Sequence, residues 1–255
     1  MIYDCFLYNG ENECLETRIK ELSGLPVMHI LVEGSHTFTN IKRRSTMPMK
    51  FALMANMYHC IVQMPLFDNP WDNEKYQRNC IADSLVNVGC FDEDVVIISD
   101  CDEIPNAKAV EEYFNKGSGR MKLAMDDYVL HINQLVGKQE WIKPDIMQFK
   151  DLTNSTPDLI RNSGAPTLSN GGWHFSWLGE IERILDKFAS FSHQEEAVQR
   201  FADRNLIADK MAKGEYLFSD KKCEIVEISY DSHPRHIVEN QHKYQHLIWK
   251  TKDQL

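Results

Sequence analysis

The chain is short of positive charge, of paired cysteines and of long apolar runs. Its 28 Lys and Arg face 38 Asp and Glu, a formal net charge of −10, which argues against a general nucleic-acid binder because phosphate backbones require clustered cations. An anionic ligand would need a metal or a local basic loop. The seven cysteines, Cys5, Cys14, Cys60, Cys80, Cys90, Cys101 and Cys223, are scattered and form no C-x-x-C pair. That excludes a zinc ribbon and a disulfide framework and fits a reducing compartment. No segment approaches the roughly 20 apolar residues of a membrane span, and Met1-Ile2-Tyr3-Asp4-Cys5 has no basic n-region. The expectation is a soluble, cytoplasmic chain without an export signal. With no repeat, low-complexity tract or linker in 255 residues, one domain over residues 1–255 is expected.

What is present centres on Asp94-Val95-Val96-Ile97-Ile98-Ser99-Asp100-Cys101-Asp102-Glu103-Ile104-Pro105. Val95 to Ile98 are all β-branched and end abruptly in acids, the pattern of a strand buried on both faces of a parallel sheet. In an open α/β sheet the carboxyl ends of the strands hold the ligand, so Asp100 and Asp102 belong in a crevice. Two carboxylates one residue apart can serve a hard divalent cation. A D-x-D can also simply start the turn into the next helix, here Asn106 to Asn115; the hydrophobic run before it and Glu103-Ile104-Pro105 after it favour a ligand role.

In chain order, Ile2 to Tyr8 and Val27 to Val32 read as strands around a helix carrying Leu15, Ile19 and Leu22, a β-α-β start of the nucleotide-binding kind. Glu33 closes the second strand at the ligand edge. The polar loop Gly34 to Lys50 carries Lys42-Arg43-Arg44, a run that is usually solvated but could meet phosphate on so acidic a protein. Cys60 to Leu66 is expected as a third strand. A helix from Asn73 to about Val88 presents Tyr76, Cys80, Ile81 and Leu85 as its core stripe and leaves Arg78 open between solvent and crevice. Lys122 to Asn133 reads as a strand pair interrupted at Asp126-Asp127, and Trp141 to Thr167 gives no assignment.

The second informative stretch is Gly171-Gly172-Trp173-His174-Phe175-Ser176-Trp177. Paired glycines permit close backbone approach to a ligand, and Trp173 and Trp177 offer flat faces for a sugar ring; the plainer alternative is a buried aromatic cluster with a hydrogen-bonded histidine. Glu180 to Phe191 and Glu195 to Met211 are expected helices, Cys223 to Ile228 a late strand, and Pro234 to Trp249 a helical tail. Its His242 and His246 have zinc-compatible spacing but no third ligand nearby.

Together, Asp100-Cys101-Asp102-Glu103-Ile104-Pro105 and Gly172-Trp173-His174-Phe175-Ser176-Trp177 resemble glycosyltransferase family seventeen, the β-1,4-mannosyl-glycoprotein β-1,4-N-acetylglucosaminyltransferases. Further matches are Glu11, Leu15-Glu16 and Arg18, Glu33 with Thr37-Phe38-Thr39, the Trp71 to Arg78 segment, and Lys187 with Ser190; the tail after Gly214 matches poorly. The resemblance implies an α/β, GT-A type fold: a Rossmann-like mixed, mostly parallel sheet flanked by helices, with a nucleotide-sugar half to about residue 105 and an acceptor-side half beyond. It implies inverting transfer of N-acetylglucosamine from UDP-N-acetylglucosamine to a glycan hydroxyl, assisted by Mn2+ or Mg2+. On that basis Glu33, Arg78, Asp100 and Asp102 are candidate nucleotide-sugar residues, and Trp173, His174 and Trp177 an acceptor wall. Asp102, Asp100 and His174 are candidate metal ligands, and Glu180, Asp127 and Glu103 candidate bases. The alternatives are a haloacid-dehalogenase-like phosphatase with an aspartyl nucleophile and a non-catalytic sugar-binding module.

Overall fold

β-Branched and aromatic runs in the first hundred residues build parallel strands. The computed structural model describes residues 1–45 and 47–250; Thr46 of the polar loop and residues 251–255 of the expected domain lie outside the described residues. The order is β1 (Ile2–Leu7), α1 (Asn12–Glu21), β2 (Val27–Gly34), α2 (Met49–Ala52), β3 (Met57–Val62), α3 (Pro70–Asn87), β4 (Val95–Asp100), β5 (Glu103–Pro105) and α4 (Ala107–Lys116). Then come β6 (Met121–Val129), β7 (Gln134–Trp141), β8 (Asp145–Gln148), α5 (Pro157–Arg161), β9 (Thr167–Ser176), α6 (Ile181–Ser190), α7 (Glu196–Gln199), α8 (Arg204–Lys213), β10 (Glu224–Ile225) and α9 (Arg235–Glu239).

These strands form one mixed sheet, so the fold is α/β. Its spine runs β10-β7-β6-β8-β4-β1-β2-β3, while β9 bridges β5 and β6. β3, β2, β1 and β4 are parallel neighbours; β8 then runs antiparallel to both β4 and β6. The chain winds outward from β1 through β2 to β3, then returns to place β4 on the other side of β1. That reversal opens a crevice at the carboxyl ends of β1 and β4, where Leu7 is level with Asp100. Ile81 and Leu85 of α3 are buried against the parallel strands in one apolar layer, and Phe6, Leu31, Cys14, Leu15 and Ile19 form another.

Several local expectations change. The third strand begins earlier, at Met57, and Tyr76 is exposed rather than part of the core stripe. The expected strand pair is a single strand, β6, with Asp126 and Asp127 inside it. Register shifts at Asp127 absorb the acids, and Asp126 accepts the Gln139 N–H at 2.9 Å. The single helix over Glu195 to Met211 is two, because Asp203 caps a fresh start through the Leu206 N–H. The tail is α9 followed by separate 3-10 turns, so His242 and His246 share no helical face. Cysteines are free throughout the described residues, and no helix among them is long and apolar enough to cross a membrane.

Candidate active site

Strand β4 ends on Asp100, whose carboxylate oxygens receive Arg78 Nη1 at 2.8 Å and Arg161 Nη2 at 2.7 Å. Burial alone would raise its pKa, but the two guanidiniums hold it well below the ordinary carboxylate range. Both Asp100 oxygens are thus paired with cations, unlike the free first aspartate of a D-x-D that serves a phosphatase as nucleophile. Asp102 is held more lightly. Lys187 Nζ lies 2.9 Å from Oδ2, and the other oxygen accepts no hydrogen bond among the described residues. Burial opposes its ionisation; Lys187 and then His174 outweigh that and lower its pKa.

Glu103 is fully buried. Its oxygens take a bidentate Arg161 (2.9 and 2.7 Å), the Trp141 indole N–H (2.6 Å) and the Asp100 N–H (2.7 Å). Arg18, also fully buried, pairs with Asp4 and donates to the Asp100 and Glu103 carbonyls at 2.9 and 2.7 Å. Glu103 and Arg18 therefore hold the turn's shape, and Glu103 has no oxygen left to act as a base.

Strand β9 lies against this turn, with Glu103 opposite His174 and Ile104 opposite Trp173. Because side chains alternate along a strand, Trp173 and Phe175 enter the core, while His174 and Ser176 reach the crevice. His174 Nδ1 is 2.8 Å from Asp127 Oδ1, and its ring stacks on Trp141 with centroids 3.9 Å apart. Burial disfavours the imidazolium, but the Asp127 hydrogen bond and the charges of Asp102, Asp127 and Glu103 prevail and raise its pKa. Trp173 donates its indole N–H to the Ser232 carbonyl at 2.9 Å and is part of the core, not an acceptor wall. The glycine pair serves the fold as well. A Cβ on Gly172 would lie 2.0 Å from the Ile104 carbonyl, and φ there is +145°, so only glycine lets β9 approach β5 this closely.

A crevice of about 590 Å³ opens beside this turn and strand. Into it the structure brings Arg78, Asp100, Asp102, Asp127, His174 and Trp177 from the sequence candidates. Glu33 instead lies buried beside His59 at 2.9 Å, and Glu180 is exposed at the edge of a second cavity. Within the basic run, Arg43 turns inward and donates to the Gly34 and Tyr8 carbonyls at 2.9 and 3.1 Å, while Lys42 and Arg44 stay exposed. Trp141 and Arg161 escaped the sequence reading. The Thr156 cap and Pro157 mark the start of α5, but nothing local announces that Arg161 spans 61 positions to Asp100. Among the described residues no three His, Cys, Asp or Glu side chains are grouped to hold a metal. A hard cation fits the hard carboxylate oxygen that Asp102 leaves open, with ligand oxygens completing its shell. Each Asp100 oxygen is already paired with a guanidinium, and His174 Nδ1 lies 2.8 Å from Asp127.

The comparisons bear on the same residues. No curated protein matches by sequence. One similar solved structure is a 4-diphosphocytidyl-2C-methyl-D-erythritol synthase, 10% identical, with a TM-score of 0.40 over 67% of this chain and 88% of that one. The model of glycosyltransferase family 17 matches residues 1–250, including the tail that the motifs left poorly matched. The chain belongs to glycosyltransferase family 17, and it is a glycosyltransferase.

Proposed function

We propose that the chain transfers N-acetylglucosamine from UDP-N-acetylglucosamine to a glycan hydroxyl with inversion, in a GT-A type arrangement, and that the 590 Å³ crevice receives the donor. The observation that carries this reading is the position of Asp102: just past β4, at the sheet's switch point, in a crevice also lined by Arg43, Arg78, Lys143, Arg161 and Lys187. Such cations attract a nucleoside diphosphate to an otherwise acidic protein. A divalent ion held by Asp102 would act as a Lewis acid on the diphosphate as negative charge develops there. Lys187 stands beside that position and adds fixed positive charge, which costs no reorganisation during the reaction, and the neighbouring Asp127 and Asp102 favour the charged form of His174. Arg78 and Arg161 hold Asp100 ionised and fix the end of β4.

The reading is tested by UDP release from UDP-N-acetylglucosamine with manganese, repeated with chelator and with Asp102→Asn. Release that is lost in both supports it. Undiminished release in Asp102→Asn removes the donor assignment.

A further inference from the structure

The donor crevice takes only Arg43 from the basic run. Residues 34–67 hold Lys42, Arg43, Arg44 and Lys50 and not one Asp or Glu, within a chain of net charge −10. Lys42 and Arg44 are exposed, and among the described residues neither side chain has a hydrogen-bond or ion-pair partner. Lys50 pairs with Glu16 at 2.5 Å yet leaves 58% of its side chain exposed. Beside these cations Met49 and Leu53, four residues apart at α2, are 70% and 77% exposed, and Ile61 of β3 is 56% exposed. They share one side of the sheet. Met47 and Met57 pack with Phe51 of α2 on the apolar layer that covers it, and Ile61, four positions beyond Met57, faces the same way along the strand. β3 is also the last strand of the sheet's spine. Edges of that kind are commonly guarded by charge, but Met57–Val62 carries no Lys, Arg, Asp or Glu.

We propose that this edge of the molecule docks on an anionic lipid surface, with Lys42, Arg44 and Lys50 among the headgroup phosphates and carboxylates and Met49, Leu53 and Ile61 entering the boundary with the acyl chains. Single exposed apolar residues need no explanation. Three of them beside cations, on a segment free of acids, have the composition of an interfacial anchor. The chain's net negative charge does not forbid docking: at physiological salt, charges more than about 8 Å from the surface are largely screened, so the local cations decide. A nucleic acid is the poorer occupant, because its bases stack on flat side chains and these three are aliphatic. Each cation near such a surface strengthens binding about fivefold, and each aliphatic side chain fully buried there adds about tenfold. The two contributions together select a membrane that is both anionic and apolar. Arg43, between Lys42 and Arg44 in the chain, lines the crevice, so docking holds the crevice beside the lipid.

Co-sedimentation of the whole chain with phosphatidylcholine vesicles, with and without phosphatidylserine, tests the proposal. Wild type is expected to pellet only with the vesicles that contain phosphatidylserine and to be released by raised salt. Lys42→Ala/Arg44→Ala should weaken that binding about 25-fold, and Met49→Ser/Leu53→Ser about tenfold or more. Both double variants change exposed positions and should keep the wild-type circular dichroism. Wild type that pellets with neither kind of vesicle, or equally with both, overturns the proposal, as does undiminished binding by either variant. Wild type that ignores the vesicles but retards single-stranded poly(U) in a gel assigns the face to nucleic acid and overturns it as well.

Discussion

The acidic turn from Asp100 to Glu103 and the strand from Trp173 to Trp177 face one another, yet their side chains are controlled in opposite ways. In the turn, each acid is matched by a cation brought from far along the chain: Arg78 and Arg161 for Asp100, Lys187 for Asp102, Arg161 again for Glu103. From Trp173 to Ser176, backbone alternation decides which side chains face the crevice and which are core; Trp177 leaves the strand at a φ of +56° and borders the crevice from within a separate apolar cluster. One region shows that a motif's spacing does not reveal how many of its charges remain available. The other shows that neighbouring aromatics of similar composition can have unrelated roles.

The largest test of the contrast is at the turn. Asp102→Asn is expected to lower turnover by about three orders of magnitude, or about 4 kcal/mol in the barrier, with far-UV circular dichroism unchanged. Asp100→Asn should instead lower the denaturation midpoint, because it removes one anionic partner from each of two buried guanidiniums, Arg78 and Arg161, which keep only Glu74 and Glu103. In the strand, Trp173→Ala should cost about 4 kcal/mol of stability through its core cavity, whereas His174→Ala should spare most of the stability and reduce turnover. Equal loss of stability in both, by urea titration, would erase the proposed division of faces.

Arg161→Met strips Glu103 and Asp100 of a shared partner and should cost about 3 kcal/mol, read as a lower urea midpoint at constant slope. The smallest effect concerns His233. Burial pushes it down to about 4, against the hydrogen bond it makes to the Ile132 carbonyl. A depressed histidine favours the folded state above the unfolded pKa of 6.5. As pH falls from there to about 4, the unfolded chain takes a proton that the folded one refuses, so stability on the order of 2 kcal/mol is lost. His233→Gln should flatten the stability profile across that window.

Much of the parallel half was legible because its signals are local: Val95 to Ile98 declare a buried strand, whereas the start of α3 was placed at Asn73 although Asn69 caps the helix and Pro70 opens it. The acids after β4 could be placed at the ligand edge for the same reason. What stayed hidden depends on tertiary pairing. Trp141 lies in a stretch of weak periodicity, yet it is fixed by the distant Glu103 and His174. Asp126-Asp127 looks like a turn until the β6 bulge accommodates it. Gly171-Gly172 looks like ligand clearance, but a Cβ at either would strike a neighbouring strand.

The three-residue ladder between β5 and β9 has a mechanical consequence. Catalytic loops commonly drift independently, but here the turn bearing Asp102 and the strand bearing His174 are stitched by main-chain hydrogen bonds into a common rib. Thermal motion must carry both together, so the span between them is set by sheet geometry and survives rearrangement of the outer loops.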